Sequence, residues 1–468
     1  MENILKHIES HYPVEEILVN GEQVWPYLRV AYDFQYIKKM SSQKGEKPLG
    51  PNLSFLGKLK RLRNIPYGVR NWLGEYDYIA ISGTNERRLI GGKYFNRLLD
   101  PVIDKLGGSK VLHIEIPAPS LYPIRNIYTN KVVCYDLLEA LAMIVEAFTL
   151  RRYKIKNESI LENINREYDL SLDYLKVIKR FYARRMVFSL LFRRKKPRVV
   201  LLSCYYGLLQ SAIKAAKDFG AKVIEFQHGS IGLEHPEYNV YAEIDKSYFP
   251  DYLAVFGKRE LETFSNSRFI QPQHVYPVGS FYIEHVRNNY VLENSLIKKL
   301  DNYSRTVGVT LQATTEKRTI EFMVQAANLD SHIFYILIPR KPQEEHYSAL
   351  SLPDNIMVIK DKNFYELMKL VDFHATVYST CALEAPSLGV QNILINIDNL
   401  SKQYYEAVLK DGRITRYADT PQEFVRVVND FEKLDRDTTV KLNEDLVAVD
   451  YEKNIQELLQ SPPFLNNS

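Results

Sequence analysis

Short apolar runs that stop at a small or polar residue recur along this chain, and that rhythm limits its fold more than any other feature. YDYIAISG (76–83), KVLHIEIP (110–117), PRVVLLSCYYG (197–207) and AKVIEFQHG (221–229) all have it, and DYLAVF (251–256) and HVYPV (274–278) extend the series. The stretches between them are long enough for helices at 94–106, 136–152, 159–189 and 208–219. Runs this short, spaced this way, predict strands of a parallel sheet covered on both faces.

After a polar connection at 284–303 the rhythm restarts with TVGVTLQ (306–312), IFYILIPR (333–340), NIMVIKD (355–361), FHATVYST (373–380) and QNILINI (391–397), with helices expected at 319–328, 363–370 and 382–388. The expected fold class is α/β: two Rossmann-like parallel-sheet domains, at 76–290 and 291–449. A mixed, aromatic extension with a basic linker precedes them at 1–75, and a C-terminal helix and tail follow at 450–468.

The chain has 468 residues, and 61 Lys and Arg against 57 Asp and Glu leave a net charge of +4. That balance excludes a nucleic-acid coat and makes any anion binding local. The three cysteines, Cys134, Cys204 and Cys381, are widely spaced and form neither a disulfide framework nor a zinc-ligand pair, so a reducing, cytoplasmic setting is expected. The N-terminus carries charges throughout and does not read as a secretory signal. The apolar windows at 137–150 and 186–192 fall short of the roughly 20 residues of a spanning helix.

In open parallel sheets ligands bind beyond the carboxyl ends of the strands, so the residues just after each run are the candidates. Gln227-His228-Gly229-Ser230 follows KVIEF, where the glycine lets the backbone turn and His228 suits a general base or a holder of phosphate or acceptor hydroxyl. A structural turn is the plainer alternative. Glu86, Arg87 and Arg88 hold the equivalent place after YDYIAISG, and Glu86 is the second candidate for the base. Arg87, Arg88, Tyr205, Tyr206, Gln227 and His235 are candidate acceptor contacts.

In the second half, Thr310 and Gln312 offer uncharged hydrogen-bonding groups to a nucleotide or pyrophosphate, a common loop pattern. Pro339-Arg340-Lys341-Pro342 sets two cations between prolines, which suits a diphosphate, with an exposed basic turn as the alternative. In TVYSTCALEAPSLGVQNILI (376–395) a strand runs into Ser379-Thr380 and a helix is expected at once, giving free N–H groups and two hydroxyls for a phosphate. Glu384, a turn later, is placed to accept ribose hydroxyls; a plain capped helix is the alternative.

Together these motifs resemble GT-B glycosyltransferases of bacterial capsule and surface-polysaccharide synthesis. EAPSLG (384–389) before an apolar strand is similar to the nucleotide-binding stretch of UDP-N-acetylglucosamine 2-epimerases, which share that fold. Gln227-His228-Gly229 resembles the His-Gly motif of glycerol-phosphate polymerases and related capsule transferases. Arg340-Lys341-Pro342 sits where many of these families carry a His-Pro pair, so Arg340 or Lys341 is expected to take over the charge toward the donor phosphate.

The resemblance implies a nucleotide-sugar donor held by the C-terminal half through Thr310, Gln312, Arg340, Lys341, Ser379, Thr380 and Glu384. It implies a glycan or lipid-linked glycan acceptor on the N-terminal half, and transfer in the cleft between the halves. No metal or cofactor is expected, the nucleotide sugar being a substrate, and nucleic acid is not an expected partner. A homodimer is compatible with the sequence. The segment 184–196, apolar between Arg184-Arg185 and Arg193 to Lys196, is expected either to rest on an anionic inner membrane leaflet or to end buried. The alternative functions are a polyol-phosphate transferase, a nucleotide-sugar 2-epimerase and a non-catalytic nucleotide-sugar-binding subunit. For the epimerase, no set of acid–base carboxylates and histidines is apparent in the N-terminal half.

Overall fold

In the computed structural model the first-half runs become seven parallel strands: β1 (Tyr78–Gly83), β2 (Val111–Ile116), β3 (Val132–Cys134), β4 (Val199–Leu202), β5 (Lys222–Phe226), β6 (Tyr252–Val255) and β7 (Val275–Pro277). Their order across the sheet is β7-β6-β5-β4-β1-β2-β3, so it reverses between β1 and β4. The second half builds β8 (Arg305–Thr310), β9 (Ile333–Ile338), β10 (Ile356–Val358), β11 (Phe373–Thr376), β12 (Gln391–Ile395) and β13 (Thr415–Ala418), ordered β10-β9-β8-β11-β12-β13 with the same reversal between β8 and β11. β13 is too polar at Thr415 and Arg416 to stand out as an apolar run.

The chain divides into two units, the first of residues 1–255, 259–277 and 455–468, the second of 256–258 and 278–454. The structure describes residues 3–43, 61–148, 153–229, 231–232, 235–290, 298, 300–312, 314–340, 347 and 350–464.

Residues set apart as an extension in the sequence belong to the core of the first unit. α1 (Ile4–His11) starts where the Asn3 side chain accepts from the Lys6 N–H at 3.1 Å, and α2 (Trp25–Gln43) follows a short strand pair. Their Ile4, Leu5, Ile8, Trp25 and Leu28 are buried in one cluster with Ile79, Ile81, Val200 and Leu202. Cutting such a side chain back, as in Leu28→Ala, costs about 2–5 kcal/mol in lost burial and residual cavity.

Two predicted helices change for local reasons. Lys93–Asn96 pairs with Arg87–Ile90 as an antiparallel hairpin turning on Gly91 and Gly92, both at positive φ, so the helix expected at 94–106 shrinks to Asp100–Lys105. The helix expected at 159–189 breaks in two because Asp173 caps a new start, its carboxylate accepting from Lys176 N–H at 3.0 Å, and α3 runs Tyr174–Lys195.

α3 buries Val187, Phe188, Leu191 and Phe192 in the core. Arg184 pairs with Glu139 at 2.8 Å, Arg185 with Glu22 and Asp218 at 2.6 Å each, and the Lys195 ammonium donates to the Trp72 and Gly74 carbonyls. Those four apolar side chains are therefore core and Arg184, Arg185 and Lys195 are paired internally, while Met186, Leu190, Arg193, Arg194 and Lys196 of the segment are exposed. Among the described residues no helix is long and apolar enough to cross a membrane.

Candidate functional site

In the first unit the loops after β1, β4 and β5 meet at the reversal of strand order. His228, two residues beyond β5, has its ring centroid 6.1 Å from that of Tyr206, which lies 5.9 Å from the His235 ring. Burial pushes the His228 imidazole below its ordinary value, against the nearby Glu86 carboxylate. His235 Nδ1 is 3.0 Å from Glu237 Oε2, close enough for an ion pair when the ring is protonated.

α2 holds this loop in place. The Arg29 guanidinium is fully buried and donates to Glu9 Oε1 at 2.7 Å, the Glu237 carbonyl at 2.9 Å and the Asn239 carbonyl at 2.6 Å. One turn on, Asp33 faces Glu237: burial first and Glu237 second raise the Asp33 carboxyl to about 7. Glu237, despite its own burial, stays below the usual carboxylate range because His235 and Arg29 favour its charge. Of the two carboxyls, Asp33 is the one that burial and its neighbour drive toward protonation. Glu225, inside β5, accepts from the Tyr238 hydroxyl at 2.6 Å and the Tyr205 N–H at 3.1 Å through Oε1, and burial raises its carboxyl to about 8.

Several expected contacts are committed elsewhere. Glu86 accepts from Asn85 Nδ2 at 2.7 Å and Arg97 Nε at 2.9 Å, and Arg97 donates to the His228 carbonyl at 3.3 Å, so Glu86 is part of a clamp on the His228 loop. The Arg87 side chain is fully buried between Asp100 and Glu115, an interior tie with no access to an acceptor. Arg88 donates to the Asn85 and Arg87 carbonyls at 2.8 Å each. Tyr205 is fully buried, its hydroxyl donating to the Glu237 carbonyl, which makes it a wall of the site rather than an acceptor contact. Gln227, also buried, shapes the turn by donating to the Gly229 carbonyl at 2.8 Å and Glu260 at 3.1 Å. Tyr206, His228 and His235 remain together. Asp33, Glu225 and Glu237 join them without having been singled out; the only sequence signal was a charge inside the apolar run KVIEF.

In the second unit the Thr310 hydroxyl lies 3.0 Å from His374 Nε2, and His374 Nδ1 lies 2.8 Å from Asn392 Oδ1. Burial lowers the His374 imidazole to about 4, so the chain is neutral, and it turns Thr310 into the sheet instead of toward a ligand. Gln312 Oε1 accepts from the Tyr378 N–H at 2.9 Å and ties the loops after β8 and β11 across the reversal. Ser379 is half-buried, with its hydroxyl accepting from Cys381 N–H at 3.3 Å, and Thr380 is exposed.

The helix expected at 382–388 is one turn, Cys381–Glu384, passing into a tighter 3₁₀ turn at Pro386–Leu388. It ends at Gly389, where φ is +80° and a Cβ would stand 2.6 Å from that of Arg436, so only glycine fits. Glu384 is half-buried on that turn, Arg340 is exposed beyond β9, and Lys341 and Ser230 lie outside the described residues.

No family model and no curated protein matches the sequence. Among solved structures, S. aureus MnaA in a co-structure with UDP is 11% identical at a TM-score of 0.51, covering 83% of this chain and 98% of that one. The UDP-GlcNAc 2-epimerase of Methanocaldococcus jannaschii is 12% identical at a TM-score of 0.50, covering 82% and 99%. These likenesses show the fold, the two-sheet α/β class of GT-B proteins and UDP-GlcNAc 2-epimerases.

Proposed function

We propose that this chain transfers a sugar from a nucleotide-sugar donor to a hydroxyl of a glycan or lipid-linked glycan acceptor. The observation that carries the reading is the first unit's reversal point, where His228, Tyr206 and a His235–Glu237 pair stand together at the place such sheets bind ligands. Tyr206 offers a face to the acceptor sugar and His228 contacts its hydroxyl. His235 takes the proton, because Glu237 stabilises the imidazolium that forms. The acceptor oxygen bonds to the anomeric carbon as the carbon–phosphate-oxygen bond breaks, and the nucleoside diphosphate leaves with the electron pair.

In the second unit, Ser379, Thr380 and Arg340 meet the diphosphate, Gln312 keeps the two loops in register, and Glu384 holds the ribose. A surface-polysaccharide acceptor follows from the likeness of Gln227-His228-Gly229 to capsule transferases. UDP is the first nucleotide to try, given the UDP bound to the S. aureus neighbour.

The test is a thermal-shift panel of UDP-, GDP-, CMP- and dTDP-sugars and free nucleotides on wild type and Glu384→Ala. Stabilisation by one nucleotide class that Glu384→Ala removes is expected; no stabilisation by any overturns the reading. A 2-epimerase is the second reading, favoured by Asp33, Glu225 and Glu237 converging on the two histidines. An epimerase turns over UDP-GlcNAc with no acceptor present, and NMR of that incubation separates the two.

A further inference from the structure

We infer that Cys204, Glu225 and His228 form a binding site for one divalent transition-metal ion of the zinc class. One ligand atom of each, the Cys204 sulfur, a Glu225 carboxylate oxygen and a His228 ring nitrogen, lies within 4.8 Å of the other two. Adjacent parallel strands bring them there: Glu225 of β5 is in register with Leu202 of β4, Cys204 follows Leu202 by two residues, and His228 follows Phe226 by two.

An independent observation points to a ligand. Glu225 is 0% exposed and uses Oε1 for Tyr238 and Tyr205, while its Oε2 has no hydrogen-bond partner among the described residues; the buried His228 Nδ1 likewise has none. An orphaned carboxylate oxygen in an interior, beside a thiol and an imidazole, asks for a group it can bind.

The donor chemistry says which group. A thiolate, a carboxylate and a neutral imidazole balance a dication, so the loaded site carries no net charge, as a buried location favours. A sulfur, nitrogen and oxygen set selects zinc or cobalt over magnesium or calcium, which take oxygen. The Tyr238 and Tyr205 bonds to Oε1 hold the carboxylate in its ligating orientation.

Three protein ligands leave a fourth position, the arrangement of zinc sites that activate a water or hydroxyl. A hydroxyl bound there would become more acidic, and His235, beside Tyr206 in the same loop cluster, would be the group to receive its proton. Only that last role rests on the transferase reading; the metal site itself does not, and it departs from the metal-free site implied by the resemblance.

The experiment uses the full chain, analysed for bound metal as purified, then stripped with chelator and titrated with Co²⁺. One equivalent is expected, with a near-ultraviolet thiolate-to-cobalt charge-transfer band that Zn²⁺ abolishes. Cys204→Ser should lose that band, and Glu225→Gln should weaken binding about tenfold or more. No metal as purified and no such band in wild type overturns the site, whether or not the variants fold, and so does a band that survives in folded Cys204→Ser. Nucleotide thermal shifts, read in the same preparation, report on the second unit alone, so a failed metal site leaves the donor reading standing.

Discussion

The two sheets share a strand order and differ in what they set at its reversal. The first unit gathers titratable groups there: His228, His235 with Glu237, Asp33 and Glu225. The second sets an amide and hydroxyls there, with Gln312 on Tyr378 and Thr310 turned inward to His374. The buried histidines divide in the same way. His113 of β2, bonded to Ser82 at 2.8 Å, sits among Arg87, Asp100 and Glu115, whereas His374 takes uncharged hydrogen-bond partners, Thr310 and Asn392. Topology thus fixes where a ligand goes, and the ionisation of the side chains decides whether it meets proton transfer or neutral hydrogen bonds.

The largest effect tests that division of labour. His235→Ala should lower kcat about 10²–10⁴-fold, the usual contribution of a positioned acid–base group, and leave the nucleotide thermal shift unchanged. Undiminished turnover in a steady-state assay would take proton transfer out of the first unit. Next comes stability. Arg87→Met leaves Asp100 and Glu115 buried without their cation and should cost about 3–5 kcal/mol in urea unfolding. Thr310→Val, which removes an uncharged partner from the neutral His374 ring, should cost about 1–3 kcal/mol. Equal losses would erase the contrast between a charged and an uncharged interior.

Much of this was legible in the sequence, and the exceptions have physical causes. The strands were readable because burial on both faces leaves continuous apolar runs, and the position of His228 beyond β5 because a glycine follows it at a strand end. Arg87 is hard to read because a Glu-Arg-Arg run looks like surface, while the buried partners that draw its side chain in, Asp100 and Glu115, lie 13 and 28 residues further on. Thr310 was misread for the same reason: its partner His374 lies on the neighbouring strand of the sheet. Asp33 carried no signal at all, because the segment that delivers it is far from Glu237 in sequence and is brought to the site by the buried Arg29.

Acid should separate the two interiors further. His374 titrates at about 4 in the fold against an ordinary 6.5, so the unfolded chain takes up the proton first as pH falls. Stability from this group is full above pH 6.5 and lost at about 1.4 kcal/mol per pH unit down to pH 4, about 3 kcal/mol in all. His113 is lowered too and adds a slope of the same sign in the first unit. Urea midpoints taken from pH 7 downward should therefore flatten in His374→Gln, the slope being the readout, and an unchanged slope would mean that the ring is already charged in the fold.

The smallest effect asks whether the neutral mouth is neutral because an anion belongs there. Gln312→Glu keeps an acceptor for the Tyr378 N–H, so the tie between the loops after β8 and β11 survives. The new carboxylate stands at the strand-order reversal, where a diphosphate would be repelled, and the nucleotide Kd should rise about tenfold, equivalent to about 1.4 kcal/mol. Gln312→Ala makes the complementary change, losing the tie and adding no charge, so it should cost about 1 kcal/mol of stability and weaken nucleotide less. Calorimetric titration of both variants distinguishes charge from geometry. If Gln312→Glu binds nucleotide as wild type does, the anion does not sit at the second unit's reversal, and the likeness between the two mouths stops at their strand order.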